Sequence, residues 1–440
     1  MRFAPHTEAE VGQMLSAIGA SSLDDLFEQI PPGVRLDGSL GLPAGVSELE
    51  IVEDLGELAG RNHHADELVC FAGGGAYDHY IPAVVWALAA RSEFATSYTP
   101  YQPELSQGVL QALFEFQSMV CELTGLEVSN ASLYDGATAL VEAVNMTRTG
   151  GRGRVLVSEG VDPRLIETLR TYGRGTGYEP EIFSARDGRG GTPDVGEDVA
   201  AVVVQHPNVL GILEPVSELF TTARDGGARS IQVFDPLSLG ILQPPGEVGA
   251  DIAVAEGQSL GNHLSFGGPY LGLIAARMTD VRRMPGRIVG ETVDVDGRPG
   301  FVLTLQAREQ HIRREKANSN ICTNQTLMAI AATIYLGWLG PEGLAEVGRR
   351  CTAKAAYAAA QLSEVPGVSL LHPDARFFKE FAVRVPIQAE RVVHGLVERG
   401  YLAGVPFPHA GENVLLVAVT ERRTKDQIDG LAAAMRDVVA

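Results

Sequence analysis

Four stretches of the sequence hold residue types that could do chemistry. In "FAGGGAYDHYIP" (71–82), three glycines precede Tyr77, Asp78, His79 and Tyr80, so a backbone free to approach a ligand stands beside donors and acceptors. A tight turn with incidental aromatics would carry the same residues. In "TSYTPYQPELSQG" (96–108), Pro100 and Pro103 predict an extended, polyproline-like path of about three residues per turn, which places Tyr98, Tyr101 and Glu104 on one face. Such a strut suits the wall of a binding site, or a face packed against a second subunit. "AREQHIRREKANSNICTNQ" (307–325) gathers Arg308, His311, Arg313, Arg314 and Lys316 within nine residues. A cluster of this kind receives a carboxylate, a phosphate or an acidic partner surface, unless Glu309 and Glu315 balance it as a solvated helix face.

The fourth stretch is defined by what it lacks. "IQVFDP" ends an apolar run on Asp235, and "VAEGQSLGNHLSFGGPYLG" (254–272) follows a second apolar run with a Ser/Gly-rich turn. Many pyridoxal phosphate (PLP) enzymes use this frame, with an Asp for the pyridinium nitrogen and a lysine in the turn for the Schiff base. Here Gln258, Ser259 and Leu260 stand where the lysine is expected, and Gln cannot supply a primary amine. Upstream, "NASLYDGATALVEAVNM" (130–146) is a loop feeding a helix, with Ser132, Gly136 and Thr138 placed as in a phosphate cradle; any N-capped helix would look similar. Ser132, Asp235 and Gln258 therefore outline a degenerate cofactor pocket.

Composition narrows the classes. The chain has 440 residues, long for one compact unit, and 45% hydrophobic with 20% charged residues is ordinary for a globular protein. A net charge of −20 argues against a broad footprint for nucleic acid or an anionic membrane. No run of 18 apolar residues free of charge occurs, and the acidic N-terminus does not resemble a signal peptide, so a cytoplasmic protein is expected. Cys70, Cys121, Cys322 and Cys351 lie far apart, which signals neither a disulfide framework nor a metal site; they read as free thiols, with packing set against a redox role at Cys322. Lysine occurs only at 316, 354, 379 and 425.

These residues need a scaffold. "RVLVS" (154–158), "VAAVVVQ" (199–205), "SIQVF" (230–234), "DIAVA" (251–255) and "LGLIAA" (271–276) alternate with segments able to form helices, which predicts an α/β fold with a mainly parallel sheet whose ligands sit at the strands' carboxyl ends. The expected organisation is an N-terminal helical arm (1–65), a large PLP-transferase-like domain (66–325) and a smaller α+β domain (326–440). In the arm, Ser47 and Glu50 form a candidate capping box, and an acidic helix is expected to stop at Pro31 and Pro32.

Taken together, "SYTPYQPELSQGVLQALFEFQSMVCELTGLEVSNASLYDGATALVEA", "FGGPYLGLIAARMTDVRRMPGRIVGETVD" and "REQHIRREKANSNICTNQ" resemble the P-protein of the glycine cleavage system, in its N-terminal-half, subunit 1 form. The resemblance implies a PLP-dependent aminotransferase-like (fold type I) architecture. It implies that a lysine-bearing subunit 2 holds PLP, that glycine is decarboxylated there, and that the aminomethyl group passes to the lipoyl group of the H-protein. Carried over to this chain, it implies that Tyr98, Thr99, Tyr101 and Gln102 wall the partner's site. Arg308, His311, Arg313 and Lys316 would line the interface or the lipoyl approach, with Tyr77 and His79 as further candidates. No residue of this chain would then bear covalent chemistry. The rival expectations are a structural pseudoenzyme and a stand-alone PLP enzyme that uses Lys316.

Overall fold

The computed structural model describes residues 5–36, 38, 40–64, 66–148 and 151–440. Two compact units are present, Met1–His63 and His64–Ala440. In the first, helices Glu8–Ile18 and Glu48–Ala59 begin at capping boxes, Thr7 with Glu10 and Ser47 with Glu50, and neither helix buries a residue. The acidic helix expected before Pro31 is only a 3-10 turn, Asp24–Phe27.

After helix α1 (Gln107–Thr124), the second unit is built on a seven-stranded sheet: β1 (Val128–Ser129), β2 (Arg154–Ser158), β3 (Pro180–Phe183), β4 (Val199–His206), β5 (Arg229–Phe234), β6 (Ile252–Glu256) and β7 (Gly272–Ala276), in the order β1-β7-β6-β5-β4-β2-β3. The pairs from β6 to β3 are parallel, while β7 runs antiparallel to both β6 and β1. β4 is apolar on both faces because both are covered. Ala201 and Val203 join the cluster of helix α2 (Gly136–Thr147) and helix α3 (Pro163–Thr176), and Val202 and Val204 that of helix α4 (Val216–Asp225). Each such valine contributes roughly 1.5 to 3 kcal/mol of burial.

A hairpin, β8 (Ile288–Val293) and β9 (Pro299–Thr304), precedes the long helix α5 (Thr326–Ser363). By length and composition α5 could cross a membrane. However, it bends at Gly340, next to Pro341, and its first half lies in the core through Met328, Ala332 and Tyr335. Beyond α5, strands β10 (Ser369–Leu370), β11 (Glu380–Arg384), β12 (Val405–Pro406) and β13 (Val414–Ala418) form an antiparallel sheet ordered β10-β11-β13-β12. Helices Ala389–Val397 and Lys425–Val439 pack on it. Val69–Cys70 pairs with Tyr401–Leu402, which ties the start of this unit to its end.

Candidate functional site

A cavity of about 270 Å3 opens at the carboxyl ends of β4, β5 and β6, bordered by Gly74–Tyr77, Asp235, Glu256 and Phe378–Glu380. Asp235 follows the last residue of β5 and caps a 3-10 turn, where its Oδ1 accepts the Leu237 amide at 3.0 Å. Its other oxygen, Oδ2, lies 2.6 Å from Nζ of Lys379, a residue only 1% exposed. Lys379 Nζ also lies 2.9 Å from His79 Nε2 and 3.7 Å from the centre of the Tyr77 ring. A lysine ammonium has three N–H donors, and these three neighbours account for them.

The chain of contacts continues beyond the cavity. Since Lys379 donates to Nε2, the proton of neutral His79 sits on Nδ1, which donates to Glu421 Oε2 at 2.6 Å. Burial and the neighbouring Lys379 charge lower the His79 pKa and keep the ring neutral. Burial works to raise Glu421, while the hydrogen bonds it accepts from His79 Nδ1 and the Tyr80 amide favour its charged form and pull the carboxyl down. His79, Cys351 and Glu421 bring ligand-type atoms within 4.8 Å of one another. A metal ion on Nδ1 would turn an Nε2–H toward the Lys379 ammonium, and burial pushes the Cys351 thiol well up, so the arrangement serves hydrogen bonding better than coordination.

The opposite side of the cavity is the N-terminus of α2. The Gly136 amide donates to Glu256 Oε2 at 3.0 Å, and the Thr138 amide to Asp135 Oδ1 at 2.7 Å. A Cβ on Gly136 would stand 2.7 Å from the Glu256 amide nitrogen, so glycine is what lets this helix end abut the end of β6. Glu256 also accepts the Gln258 and Leu271 amides, both at 3.0 Å, although burial pushes its carboxyl up to about 7. Gln258 itself is buried, accepting the Tyr77 amide at 2.9 Å and donating to the Asn262 carbonyl at 2.8 Å.

PLP does not fit these residues. A phosphate at the end of α2 would meet the carboxylates of Asp135 and Glu256, which already take the Thr138 and Gly136 amides. A pyridinium at Asp235 would have to displace Lys379. Among the described residues lining the cavity, Lys379 is the one lysine, and all its donors are engaged. Lys316 is exposed and does not line the cavity.

The predicted residues thus fall into two groups. Tyr77, His79, Asp235 and Gln258 surround the Lys379 network; Tyr77 also donates its hydroxyl to Glu380 Oε2 at 2.8 Å. Ser132 does not line the cavity; its Oγ accepts the Asn324 side chain at 3.2 Å and the Gln325 amide at 3.1 Å, fastening the loop before α2 to the start of α5. In the second group the Tyr101 and His311 rings meet edge-on, their centres 6.1 Å apart, and bring the proline-rich stretch to the basic one. Tyr98 is 87% exposed, Thr99 half-buried, and Gln102, Arg313 and Lys316 exposed. Arg308 is partly buried and donates to the Met284 carbonyl. The extended path expected through Glu104 ends at Gln102, since Pro103–Leu105 is a 3-10 turn.

Residues 1–435 match the model of the family described as glycine cleavage system P-protein. The chain belongs to that family. It is 52% identical to the probable glycine dehydrogenase (decarboxylating) subunit 1 of Moorella thermoacetica and 48% identical to that of Chloroherpeton thalassium, over 100% of both chains in each case. Among solved structures it is similar to a glycine decarboxylase (P-protein) of the glycine cleavage system in inhibitor-bound form, with a TM-score of 0.94, 50% identity and full coverage of both chains. A sphingosine-1-phosphate lyase from Burkholderia pseudomallei shares the fold at a TM-score of 0.65 and 14% identity, over 93% of this chain and 94% of its own. The architecture is that of PLP-dependent enzymes of fold type I, as the resemblance implied. In this P-protein family member, Lys379, Glu256 and Arg287 were not singled out from sequence. The one available signal was the charged pair Lys379–Glu380 set among phenylalanines in "FFKEF", which marks charge going into a core.

Proposed function

We propose that this chain is subunit 1 of a glycine decarboxylase of the glycine cleavage system. In this assignment a second, lysine-bearing subunit holds PLP, and the assembly decarboxylates glycine and passes the aminomethyl group to the lipoyl group of the H-protein. The observation that carries the proposal is that Lys379 takes Asp235 and Glu256 takes the Gly136 amide at the cavity, in a chain matched end to end by relatives named subunit 1. A chain with the fold but without a usable cofactor site acts through what it presents to another chain. Exposed Tyr98, Tyr101 and Gln102, with Thr99, would wall the partner's site and exclude water from it. His311, Arg313 and Lys316, exposed beside them in sequence or space, would border the approach of the lipoyl arm. The division near residues 65 and 325 and a cytoplasmic setting belong to the same proposal.

The test mixes this chain with a purified second subunit, PLP and lipoylated H-protein and follows CO2 release from glycine. Activity is expected only when both subunits are present. Decarboxylation by this chain alone, with a borohydride-trapped pyridoxyl group on one of its lysines, would sink the assignment. The competing scaffold role predicts that Tyr98→Phe and Tyr101→Phe leave the rate of the complex unchanged, whereas a wall in contact with substrate predicts a loss of about tenfold or more.

A further inference from the structure

Arg287 is 2% exposed and precedes β8. Its guanidinium reaches only neutral oxygens. Nη1 donates to Thr323 Oγ1 and Asn324 Oδ1, each at 3.2 Å, and Nη2 to the Tyr101 hydroxyl at 3.4 Å. The same cation lies 5.4 Å from the centre of the Tyr101 ring, and its buried Nε has no hydrogen-bond partner. Other deeply buried cations of this chain have carboxylates: Lys379 has Asp235, and Arg423 has Asp78 at 3.0 Å. Among the described residues, none forms an ion pair with Arg287.

A guanidinium does not give up its proton, so burial cannot neutralise it as it would a carboxyl or an imidazole. A charge held this way is strongly unfavourable unless a counter-ion arrives. Tyr101, which lies against the guanidinium, is exposed, and so is His311, whose ring meets that of Tyr101, so an anion seated on this face would replace the phenol as the close partner of Nη2 or share it. A planar fork suits a carboxylate.

The geometry points to Arg287 as the receptor for a carboxylate that comes from outside this chain to the Tyr101–His311 face, an inference that rests on the two-subunit assignment above. The carboxylate has two possible sources, the amino-acid substrate held by the partner or an acidic side chain of the partner itself.

Arg287→Gln and Arg287→Lys separate these sources in the reconstituted complex. The readouts are dissociation constants for glycine and for glycinamide, which lacks the carboxylate, together with the subunit dissociation constant across a salt series. If the substrate supplies the carboxylate, Arg287→Gln weakens glycine by about tenfold or more and glycinamide by less than about twofold, with subunit affinity unchanged. If the partner supplies it, the subunit dissociation constant rises by about tenfold or more and loses part of its salt dependence, while glycine and glycinamide shift together. Arg287→Lys, which keeps the charge and loses the fork, should fall between wild type and Arg287→Gln, and it serves as the variant if the Gln form does not fold.

Wild-type behaviour of both variants in an active complex overturns the inference. An inactive wild-type mixture instead removes the two-subunit assignment. In that case the isolated chain still decides: acetate, compared with chloride at equal ionic strength, should raise the thermal midpoint of the wild type and not that of Arg287→Gln, and equal responses overturn the receptor role.

Discussion

Lys379 Nζ lies 2.6 Å from Asp235 Oδ2, and neither charge has another ion-pair partner among the described residues. The lysine supplies to this aspartate the positive charge that a pyridinium nitrogen supplies in enzymes with the same frame. The pair is nearly closed off from water, so the two halves cannot be removed independently. Lys379→Met leaves the Asp235 carboxylate buried and unpaired and takes the donor from His79 Nε2, and should cost about 3 to 5 kcal/mol in urea unfolding. Adding Asp235→Leu should recover more than about 1 kcal/mol of that loss, because the stranded charge goes with it. Strict additivity of the two changes would mean that the pair is not coupled.

The missing lysine of the Ser/Gly-rich turn is the obvious site for an attempted repair. Gln258→Lys by itself should not restore cofactor binding. Glu256 would still hold the Gly136 amide, Lys379 would still hold Asp235, and the new side chain could not accept the Tyr77 amide that Gln258 accepts. Saturation with PLP followed by borohydride and peptide mapping should find no stoichiometric adduct at position 258. A full adduct there would show that Glu256 and Lys379 give way to the cofactor.

How far the sequence alone reached follows from the range of each interaction. β2, β4, β5, β6 and β7 were each foretold within one residue at either end, because strands buried on both faces are near-continuous apolar runs. The direction of β7 was not foretold, since a run of apolar residues carries no sense of direction, and β3 was missed because its residues at an edge of the sheet are only partly buried. Asp235 and the absence of a lysine at 258 were legible as local pattern. Lys379, Glu256 and Arg287 were not, because each acquires its meaning from a partner on another element: Asp235 for the first, the end of α2 for the second, and the Tyr101 ring for the third. The meeting of Tyr101 with His311 was not foretold either, because the two residues lie on separate segments far apart in the sequence.

Gly211 fixes the loop after β4 to the first residue of β11, beside Lys379. Its φ is +78°, and a Cβ there would lie 1.7 Å from the Glu380 carbonyl oxygen. The Phe378 amide donates to the Gly211 carbonyl at 3.1 Å, so the loop cannot back away without breaking that bond. Gly211→Ala therefore combines a left-handed backbone with a clash against main chain, and should cost about 3 kcal/mol or more by denaturant unfolding. A loss below about 1 kcal/mol would mean that the loop and β11 separate easily.

Glu142 offers a test by pH. It is buried on α2, and burial pushes its carboxyl up to about 7, against hydrogen bonds from Ser319 and Asn145 that pull it down. The folded pKa therefore stands above the unfolded one, near the ordinary value of 4.5. The folded state binds the proton more tightly, so this group's contribution is fully present below the unfolded pKa and is lost as the pH rises through about 7. Glu142→Gln keeps the shape and removes the titration. Relative to wild type it should gain roughly 3 kcal/mol at pH 8 and less than about 1 kcal/mol at pH 5. Glu256 and Glu380, both also pushed up to about 7 by burial, impose the same trend on both proteins, so the difference between the two unfolding curves is the quantity to measure. Curves that stay parallel from pH 5 to pH 8 would show that water reaches the Glu142 carboxylate in the folded chain.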